Sequence, residues 1–280
     1  MKKIIGFVDN YLSNWHANNY PAWIAEASKA MGVEFELKYA YALTEVCPVD
    51  GVTTDQWCEK FGVKRCDSAR ELCEKCDYVL ILAPRDPELH LSLAREVLPY
   101  AKRVYIDKTF APDLATAKAI FALAEENGAQ IFSSSALRYA TELQEAMGAD
   151  SVRTTGGGRS IEEYVVHQAE MVIKAMDSDP VAVTVNAKDD GYESRIEMSD
   201  GRTAVMTFAP SLGFTLAYDR NGESNTLEVT SAFFPALIAD ILNFFLSGEV
   251  SFDPDQTLRV MKLREGVIKG KEALGTRVIL

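Results

Sequence analysis

The first half of the chain alternates short apolar runs with segments in which apolar residues recur at helical spacing. The apolar runs predict five strands, at residues 4–8, 35–40, 78–82, 103–106 and 130–133. Helical patterns lie between them, at residues 67–75, 87–99 and 114–127. Such alternation is typical of βαβ units. It predicts a first domain, residues 1–136, built on a doubly wound parallel sheet.

The pattern changes in the second half. A helical pattern at residues 161–176 follows a run of three glycines, and two more at residues 234–246 and 254–274 close the chain. Between them are four alternating stretches, at residues 182–187, 193–198, 203–208 and 214–218. Asp-Gly and Asn-Gly pairs separate several of these stretches, as hairpin turns require. We therefore expect a second, α+β domain over residues 137–280 with a largely antiparallel sheet.

Charge and hydropathy limit the classes of partner. The 280 residues include 29 basic and 41 acidic side chains, a net charge of −12, and no run rich in Lys or Arg. Nucleic acids and anionic membranes require clustered positive charge, so neither is an expected partner. The longest apolar stretch, residues 232–246, is interrupted by Asp240 and Asn243 and is too short to span a bilayer. With no signal-peptide pattern at the start, a cytoplasmic protein is expected.

All five cysteines lie between Cys47 and Cys76. An odd number of cysteines in one region is typical of reduced thiols rather than of a disulfide framework. Cys73 and Cys76 form a CxxC pair, but no second pair follows at the spacing of a zinc site. We expect no metal here.

In an open parallel sheet, ligands bind beyond the carboxyl ends of the strands. The strand at 78–82 is followed by a loop with Pro84 and then His90, and the strand at 103–106 is followed by Asp107-Lys108-Thr109. The ammonium of Lys108 at such a strand end can donate to a substrate hydroxyl or to a cofactor ribose. The alternative is a solvated loop lysine.

A second candidate site lies on the helix predicted at residues 161–176. Glu163, His167 and Glu170 are spaced i, i+4 and i+7, which places them along one helix face. Histidine takes up a proton near neutral pH, and a carboxylate one turn away can orient its ring. Two alternatives remain: an exposed face with an ordinary ion pair, and a metal site formed by the three residues.

These residues carry a resemblance to a known family. The segment from Cys76 to Tyr139 resembles the nucleotide-binding domain of the glucose-fructose oxidoreductase, inositol dehydrogenase and MocA (Gfo/Idh/MocA) family. In that family a proline-containing loop is followed by a histidine, as Pro84 and His90 are here. The next strand ends in Glu-Lys-Pro with a catalytic lysine, which Lys108 matches. An aspartate four residues before a catalytic histidine is matched by Glu163 and His167, and residues 233–275 resemble the closing helices.

The resemblance implies a Rossmann-like first domain and a cytoplasmic oxidoreductase that moves hydride between NAD or NADP and a small-molecule substrate, a sugar, polyol or related hydroxy compound. It implies that His167 is the general base, that Glu163 orients it, and that Lys108 donates to the substrate oxygen and positions the nicotinamide ribose. It further implies a homodimer through the sheet of the second domain. The apolar residues available for that interface, which can equally face the domain's own helices, are Val205, Phe208, Phe214 and Leu216.

The cofactor end departs from the family. Its glycine-rich GxGxxG turn lets the backbone approach a pyrophosphate, whereas residues 9–20 contain no glycine. The second strand also lacks an acidic residue at its end to hold the adenosine ribose. In one interpretation, the loop that begins at Asp9 supplies donors from Asn10, Ser13 and Asn14, and Trp15 or His16 covers the cofactor. In the other, bulky side chains fill the pyrophosphate groove.

The second interpretation leaves two alternative functions. The chain is then a cofactor-free relative that binds a small molecule or a protein, or a non-redox lyase or hydrolase that uses Glu163 and His167 directly. The predicted cofactor-binding residues, under the leading hypothesis, are Asp9, Asn10, Ser13, Asn14, Pro84, His90 and Lys108.

Overall fold

A computed structural model describes residues 2–280, which divide into two compact units. The first contains the residues up to Ala111, Ala115–Ser133 and Pro235–Ser251; the second contains Pro112–Leu114, Ser134–Phe234 and Phe252–Leu280. The sequence placed a single boundary between residues 136 and 137. The structure instead returns residues 235–251 to the first unit, because apolar side chains of that stretch pack on its sheet: Phe245 stacks on Tyr78 with centroids 4.7 Å apart.

Six strands form the sheet of the first unit: β1 (Lys3–Asp9), β2 (Phe35–Ala42), β3 (Lys64–Arg65), β4 (Tyr78–Ile81), β5 (Arg103–Ile106) and β6 (Gln130–Phe132). Their order is β3-β2-β1-β4-β5-β6, and every neighbouring pair is parallel. The doubly wound prediction is confirmed. Successive strands are added on one side from β1 to β3 and on the other side from β4 to β6. The ends of β1 and β4 therefore define the topological switch point.

The helices of this unit connect the strands: α1 (Trp15–Met31), α2 (Thr54–Phe61), α3 (Ala69–Lys75), α4 (His90–Val97) and α5 (Leu114–Glu126). A short 3₁₀ turn, Pro87–Leu89, precedes α4. Helix α2 was not predicted, although the sequence carries a capping signal at its start. Thr53 and Gln56 form a reciprocal capping box at its start.

The second unit contains a seven-stranded sheet: β7 (Ser151–Gly156), β8 (Pro180–Lys188), β9 (Gly191–Met198), β10 (Thr203–Phe208), β11 (Thr215–Arg220), β12 (Glu223–Glu228) and β13 (Arg277–Ile279). The order is β12-β11-β7-β10-β9-β8-β13. In this sheet, over the residues that the structure describes, only β7 and β10 pair in parallel. The α+β prediction is confirmed. Three strands were missed, because β7 and β12 are mostly polar and β13 has only three residues.

Helix α6 (Ile161–Met176) and helix α8 (Asp255–Glu272) pack on this sheet, and α7 (Phe233–Ser247) lies between them in sequence. Phe208 and Leu216 are buried at 4% and 0% exposure, whereas Val205 is half-buried and has the opposite register on its strand. Phe214 contacts the ring of His167 on α6. Most of the residues suggested for a dimer interface thus belong to the helix-covered face, and the homodimer stays a prediction. In the part of the chain that the structure describes, no helix has both the length and the hydropathy of a membrane span.

Candidate functional site

The carboxyl end of β1 is closed by a buried carboxylate. Asp9 is 1% exposed, and its Oδ1 accepts hydrogen bonds from the backbone N–H groups of Asn10 (2.7 Å) and Ala83 (3.0 Å). Burial raises the pKa of Asp9 to about 8, and the nearby carboxylate of Asp107 adds to the shift. Because Ala83 follows β4, Asp9 joins the two strand ends at the switch point with its own side chain.

The three predicted phosphate donors all bind carboxylates of the chain. The amide of Asn10 donates to Asp86 (3.0 Å), the hydroxyl of Ser13 to Asp50 (2.7 Å) and the amide of Asn14 to Asp9 (2.7 Å). Asn14 also caps α1, since its Oδ1 accepts from the N–H of Ala17 (3.0 Å). A phosphate beside these donors would lie close to the carboxyl groups of Asp50 and Asp86, which is electrostatically unfavourable.

Bulky side chains of the same loop point into the protein. Tyr11 and Leu12 are 7% and 2% exposed, and His16 is 6% exposed, whereas Trp15 is half-exposed. A glycine-rich turn leaves this volume to the backbone and the ligand. The loop therefore has the filled interior that the second sequence interpretation describes, with one tryptophan at the surface.

His16 belongs to a buried polar network that the sequence analysis missed. Its Nδ1 lies 2.5 Å from Oδ2 of Asp107, which is completely buried. The hydroxyl of Tyr20 lies 2.9 Å from the same nitrogen, and the hydroxyl of Tyr105 donates to Asp107 Oδ1 at 3.2 Å. Burial alone would raise the pKa of Asp107, but the charge and hydrogen bond of His16 and the adjacent Lys108 outweigh it, and the pKa is below its ordinary value. Sequence gave no pairing signal, because 91 positions separate His16 from Asp107.

Lys108 is the second residue after β5, following Asp107, and is half-buried. Its backbone N–H donates to Asp107 Oδ1 (2.8 Å), and its ammonium donates to the carbonyl of Pro84 (3.3 Å). The predicted pair of loops after β4 and β5 is thus brought together at Lys108. The ammonium lies at the carboxyl edge of the sheet, and an ammonium is a donor suited to oxygen acceptors.

His90 helps to hold these two loops in place. The ring is completely buried, with Nδ1 3.0 Å from the carbonyl oxygen of Phe110 and Nε2 2.7 Å from that of Leu82. These contacts connect the segment after β4 to the segment after β5. They use both ring nitrogens, so they position the loop of Lys108; the role of His90 as a cofactor ligand stays a prediction.

In the second unit His167 is half-buried on α6, between the rings of Tyr164 (5.7 Å) and Phe214 (5.8 Å). Its Nδ1 lies 2.7 Å from the hydroxyl oxygen of Ser135. Glu163, the predicted orienting group, binds Arg159 through both carboxylate oxygens, at 2.6 and 2.7 Å. The contact that orients the ring at Nδ1 is therefore made by Ser135, which the sequence analysis did not name, although three serines directly follow the strand β6.

Glu170 contacts Ser135 and also forms a buried ion pair. Its carboxylate accepts from the backbone N–H of Ser135 (3.3 Å) and binds the guanidinium of Arg138, and both charged side chains are about 4–5% exposed. Lys174 donates to the carbonyl of Arg138, and burial, assisted by the charge of Arg138, lowers the pKa of Lys174 to about 8. Across residues 2–280 no cluster of three or more His, Cys, Asp or Glu has the arrangement of a metal site.

The sequence of the first unit matches a family model over residues 12–135. It is that of the Gfo/Idh/MocA oxidoreductase family, with an NAD-binding Rossmann fold. This match covers less than half of the chain. The family resemblance found in the sequence is confirmed, and Lys108 lies within the match, whereas His167 lies beyond it.

Solved structures share the fold over nearly the whole chain. A probable dehydrogenase from Thermotoga maritima superimposes with a TM-score of 0.80 at 13% identity, over 99% of this chain and 98% of the other. Myo-inositol dehydrogenase from Lactobacillus casei, solved with NAD(H) and myo-inositol, gives 0.79 at 10% identity, over 100% and 97%. UDP-N-acetylglucosamine 3-dehydrogenase from Acidithiobacillus ferrooxidans gives 0.76 at 14%, over 99% and 100%. At identities this low, the similarity shows a shared fold. None of the curated proteins matches the sequence.

The residues fit a nicotinamide dinucleotide at one end and not at the other. The switch point at β1 and β4 and the half-buried Lys108 after β5 suit the nicotinamide ribose. The pyrophosphate end is altered, since the loop donors are bound to carboxylates. The adenosine end is altered too. The first acidic residue after β2 is Glu45, and its carboxylate binds Arg65 at 2.6 Å. Lys108 is therefore the residue that we would assign to the cofactor.

Proposed function

We propose that the protein is an oxidoreductase that transfers hydride between NAD or NADP and a sugar, a polyol or a related hydroxy compound. The observation that carries the proposal is Lys108, held by Asp107 and Pro84 at the carboxyl edge of a sheet whose sequence matches an NAD-binding family. A small-molecule dehydrogenase with bound NAD(H) among the structural neighbours supports it.

The catalytic residues in this proposal are Lys108, His167 and Glu163. The cofactor supplies the hydride acceptor. The Lys108 ammonium donates to the substrate oxygen and to the nicotinamide ribose, and its fixed position lowers the entropy cost of orienting both. His167 receives the hydroxyl proton, since imidazole is the side chain suited to general base catalysis near neutral pH. Glu163, one turn before His167, is the predicted orienting carboxylate, and its own charge is balanced by Arg159.

Cofactor binding tests the proposal first. All three tryptophans, Trp15, Trp23 and Trp57, belong to the first unit, so energy transfer from tryptophan to reduced nicotinamide reports binding there. Saturable transfer with NADH or NADPH is expected, followed by turnover in a screen of sugars and polyols. Absence of transfer with both nucleotides up to millimolar concentration would refute the proposal.

Lys108→Ala should then abolish turnover, because the substrate oxygen loses its donor. Lys102→Ala is the matched control, since Lys102 precedes the same strand and its exposed ammonium donates only to the carbonyl of Asn127 among its described contacts. Equal activity of the two variants would remove Lys108 from the mechanism.

The filled loop favours a second candidate function, a non-redox enzyme that uses acid–base chemistry on a similar hydroxy compound. The supporting observation is the binding of Asn10, Ser13 and Asn14 to carboxylates rather than to open space. This enzyme would need no dinucleotide. Turnover of a sugar acid or polyol without added nicotinamide nucleotide, lost in His167→Gln, would support it over hydride transfer.

A further inference from the structure

We propose that Ser135 is a positioning residue for His167, and that its hydroxyl holds the neutral imidazole in the tautomer with the ring proton on Nε2. The inference rests on the proposed function for its catalytic meaning, because it concerns the nitrogen that His167 presents to a substrate. It is drawn from the contacts of the second unit alone.

The donor and acceptor inventory of Ser135 fixes the direction of the hydrogen bond. Its Oγ accepts the N–H of Leu137 (3.3 Å) and lies 2.7 Å from Nδ1 of His167. Ser135 is 1% exposed, so bulk water does not compete for the hydroxyl hydrogen. Within the described chain Nδ1 is the acceptor available to that hydrogen. Since a hydroxyl has one hydrogen, Ser135 donates to Nδ1, and the neutral ring must carry its own proton on Nε2.

The hydroxyl is held in place by the buried network around it. The backbone N–H of Ser135 donates to Glu170 (3.3 Å), and the hydroxyl of Ser134 donates to the carbonyl of Ser135 (3.0 Å). Glu170 is fixed by Arg138, whose guanidinium lies 3.9 Å from the ring centroid of Phe252. Ser135 also caps the 3₁₀ turn Ala136–Tyr139. Positioned groups of this kind set the orientation of a catalytic ring without touching the substrate.

The same contacts exclude a nucleophilic role for this serine. A serine nucleophile must be reached by its substrate and activated by loss of its proton to the histidine. Ser135 is buried, so a substrate does not reach Oγ. Its 2.7 Å contact with His167 therefore positions the ring rather than forming a hydrolase dyad.

The tautomer has a consequence for the substrate. A resting ring with Nε2–H is a hydrogen-bond donor, so it binds and polarises a carbonyl oxygen. To accept a proton at Nε2 instead, the ring proton must move to Nδ1 and the Ser135 hydroxyl must rotate away from it. The resting ring is thus a donor to the carbonyl form of the substrate, and this change of tautomer must precede the step in which His167 acts as the general base for a hydroxyl.

Nitrogen-15 NMR of histidine tests the proposal without a substrate. The chain has only three histidines, His16, His90 and His167, and His167→Gln identifies the third set of signals. Long-range proton–nitrogen correlations distinguish the two tautomers. We expect His167 of the wild type to be the Nε2–H form by about tenfold, the equivalent of one hydrogen bond of about 1.4 kcal/mol.

Three variants complete the test. Ser135→Ala should lose most of this preference, and Ser135→Thr should restore it by keeping the hydroxyl. Ser224→Ala is the control, because its exposed hydroxyl binds Asp219 rather than the ring or the network around Ser135. An Nδ1–H tautomer in the wild type, or an unchanged tautomer in a folded Ser135→Ala protein, would overturn the proposal. If Ser135→Ala does not fold, the wild-type spectrum alone decides it. Failure to bind NADH or NADPH would refute hydride transfer and leave the tautomer result standing.

Discussion

Replacing His16 by glutamine removes the partner of a carboxylate that has no exposed surface. Asp107 is 0% exposed and lies 2.5 Å from the imidazole. Removing one partner of a buried ion pair costs about 3–5 kcal/mol, because the remaining charge is left uncompensated. Here the hydroxyl of Tyr105 and the N–H of Lys108 still donate to Asp107, at 3.2 and 2.8 Å. We therefore expect the lower end of the range, a loss of about 3 kcal/mol in the free energy of unfolding.

Urea denaturation at pH 7 measures this loss. Tryptophan fluorescence reports on the first unit, and the ring of Trp15 is 5.4 Å from that of His16. Glu26→Gln is the control, since it replaces an exposed charged side chain by an amide on the same helix. The double variant His16→Gln/Asp107→Asn should lose less than the sum of the two single variants, because the two side chains contact each other. A loss below about 1 kcal/mol for His16→Gln, or additive effects, would refute the ion pair as a stabilising contact.

The dependence on pH has a definite sign. The pKa of Asp107 in the folded protein is below its ordinary value, so the stabilisation that it contributes is present above the pKa of the unfolded chain. It is lost as the pH falls through the folded pKa. Acid should therefore destabilise the wild type more steeply than the His16→Gln variant.

Two further predictions concern other buried charges. The pKa of Asp9 is raised from 3.8 to about 8, so its contribution to stability is fully present below pH 3.8 and is lost as the pH rises towards 8. Over that window the wild type should lose up to about 1.4 kcal/mol per pH unit relative to Asp9→Asn, measured as the difference between their urea midpoints; equal slopes would show that Asp9 is charged throughout. Glu170→Ala leaves Arg138 buried without its carboxylate and should cost about 3–5 kcal/mol by circular dichroism, against less than about 0.5 kcal/mol for the control Glu74→Ala, which removes an exposed helical ion pair with Arg70. A loss as small as that of the control would mean that Arg138 finds other partners.

The sequence predicted the parts of the fold that depend on periodicity. The strand Arg103–Ile106, the helix Ile161–Met176 and the strand Thr203–Phe208 were predicted to the residue, because their apolar spacing is regular and their ends are marked. It missed the edge strand β12, which pairs with β11. Five of its six residues are exposed, so its side chains show no alternation of buried and exposed positions.

The candidate site divides in the same way. The position of Lys108 near the end of a strand could be predicted from the sequence. The partner of each side chain could not be predicted, because it depends on contacts between residues distant in sequence. Glu163 was expected to orient His167 on its spacing and on the family resemblance, yet it binds Arg159 four residues before it, while Ser135, 32 residues away, contacts the ring. Arg159 lies just before the N-cap Ser160, within reach of the first turn, and its charge makes its contact with Glu163 a strong one.

Holding a dinucleotide and positioning Lys108 depend largely on different parts of the first unit. Lys108 is fixed by β5, by Pro84 and by the loops that His90 connects, none of which belongs to the segment between β1 and α1. That segment has instead used its donors on Asp9, Asp50 and Asp86. Asn10 and Asn14 reach the loop of Pro84 through Asp86 and Asp9, whereas Ser13 binds Asp50, so replacing Ser13 can alter the pyrophosphate end without moving the lysine. A family member that changed its cofactor affinity, or lost the cofactor, would retain the geometry seen at Lys108, so the nucleotide titration and not the lysine decides between hydride transfer and non-redox chemistry.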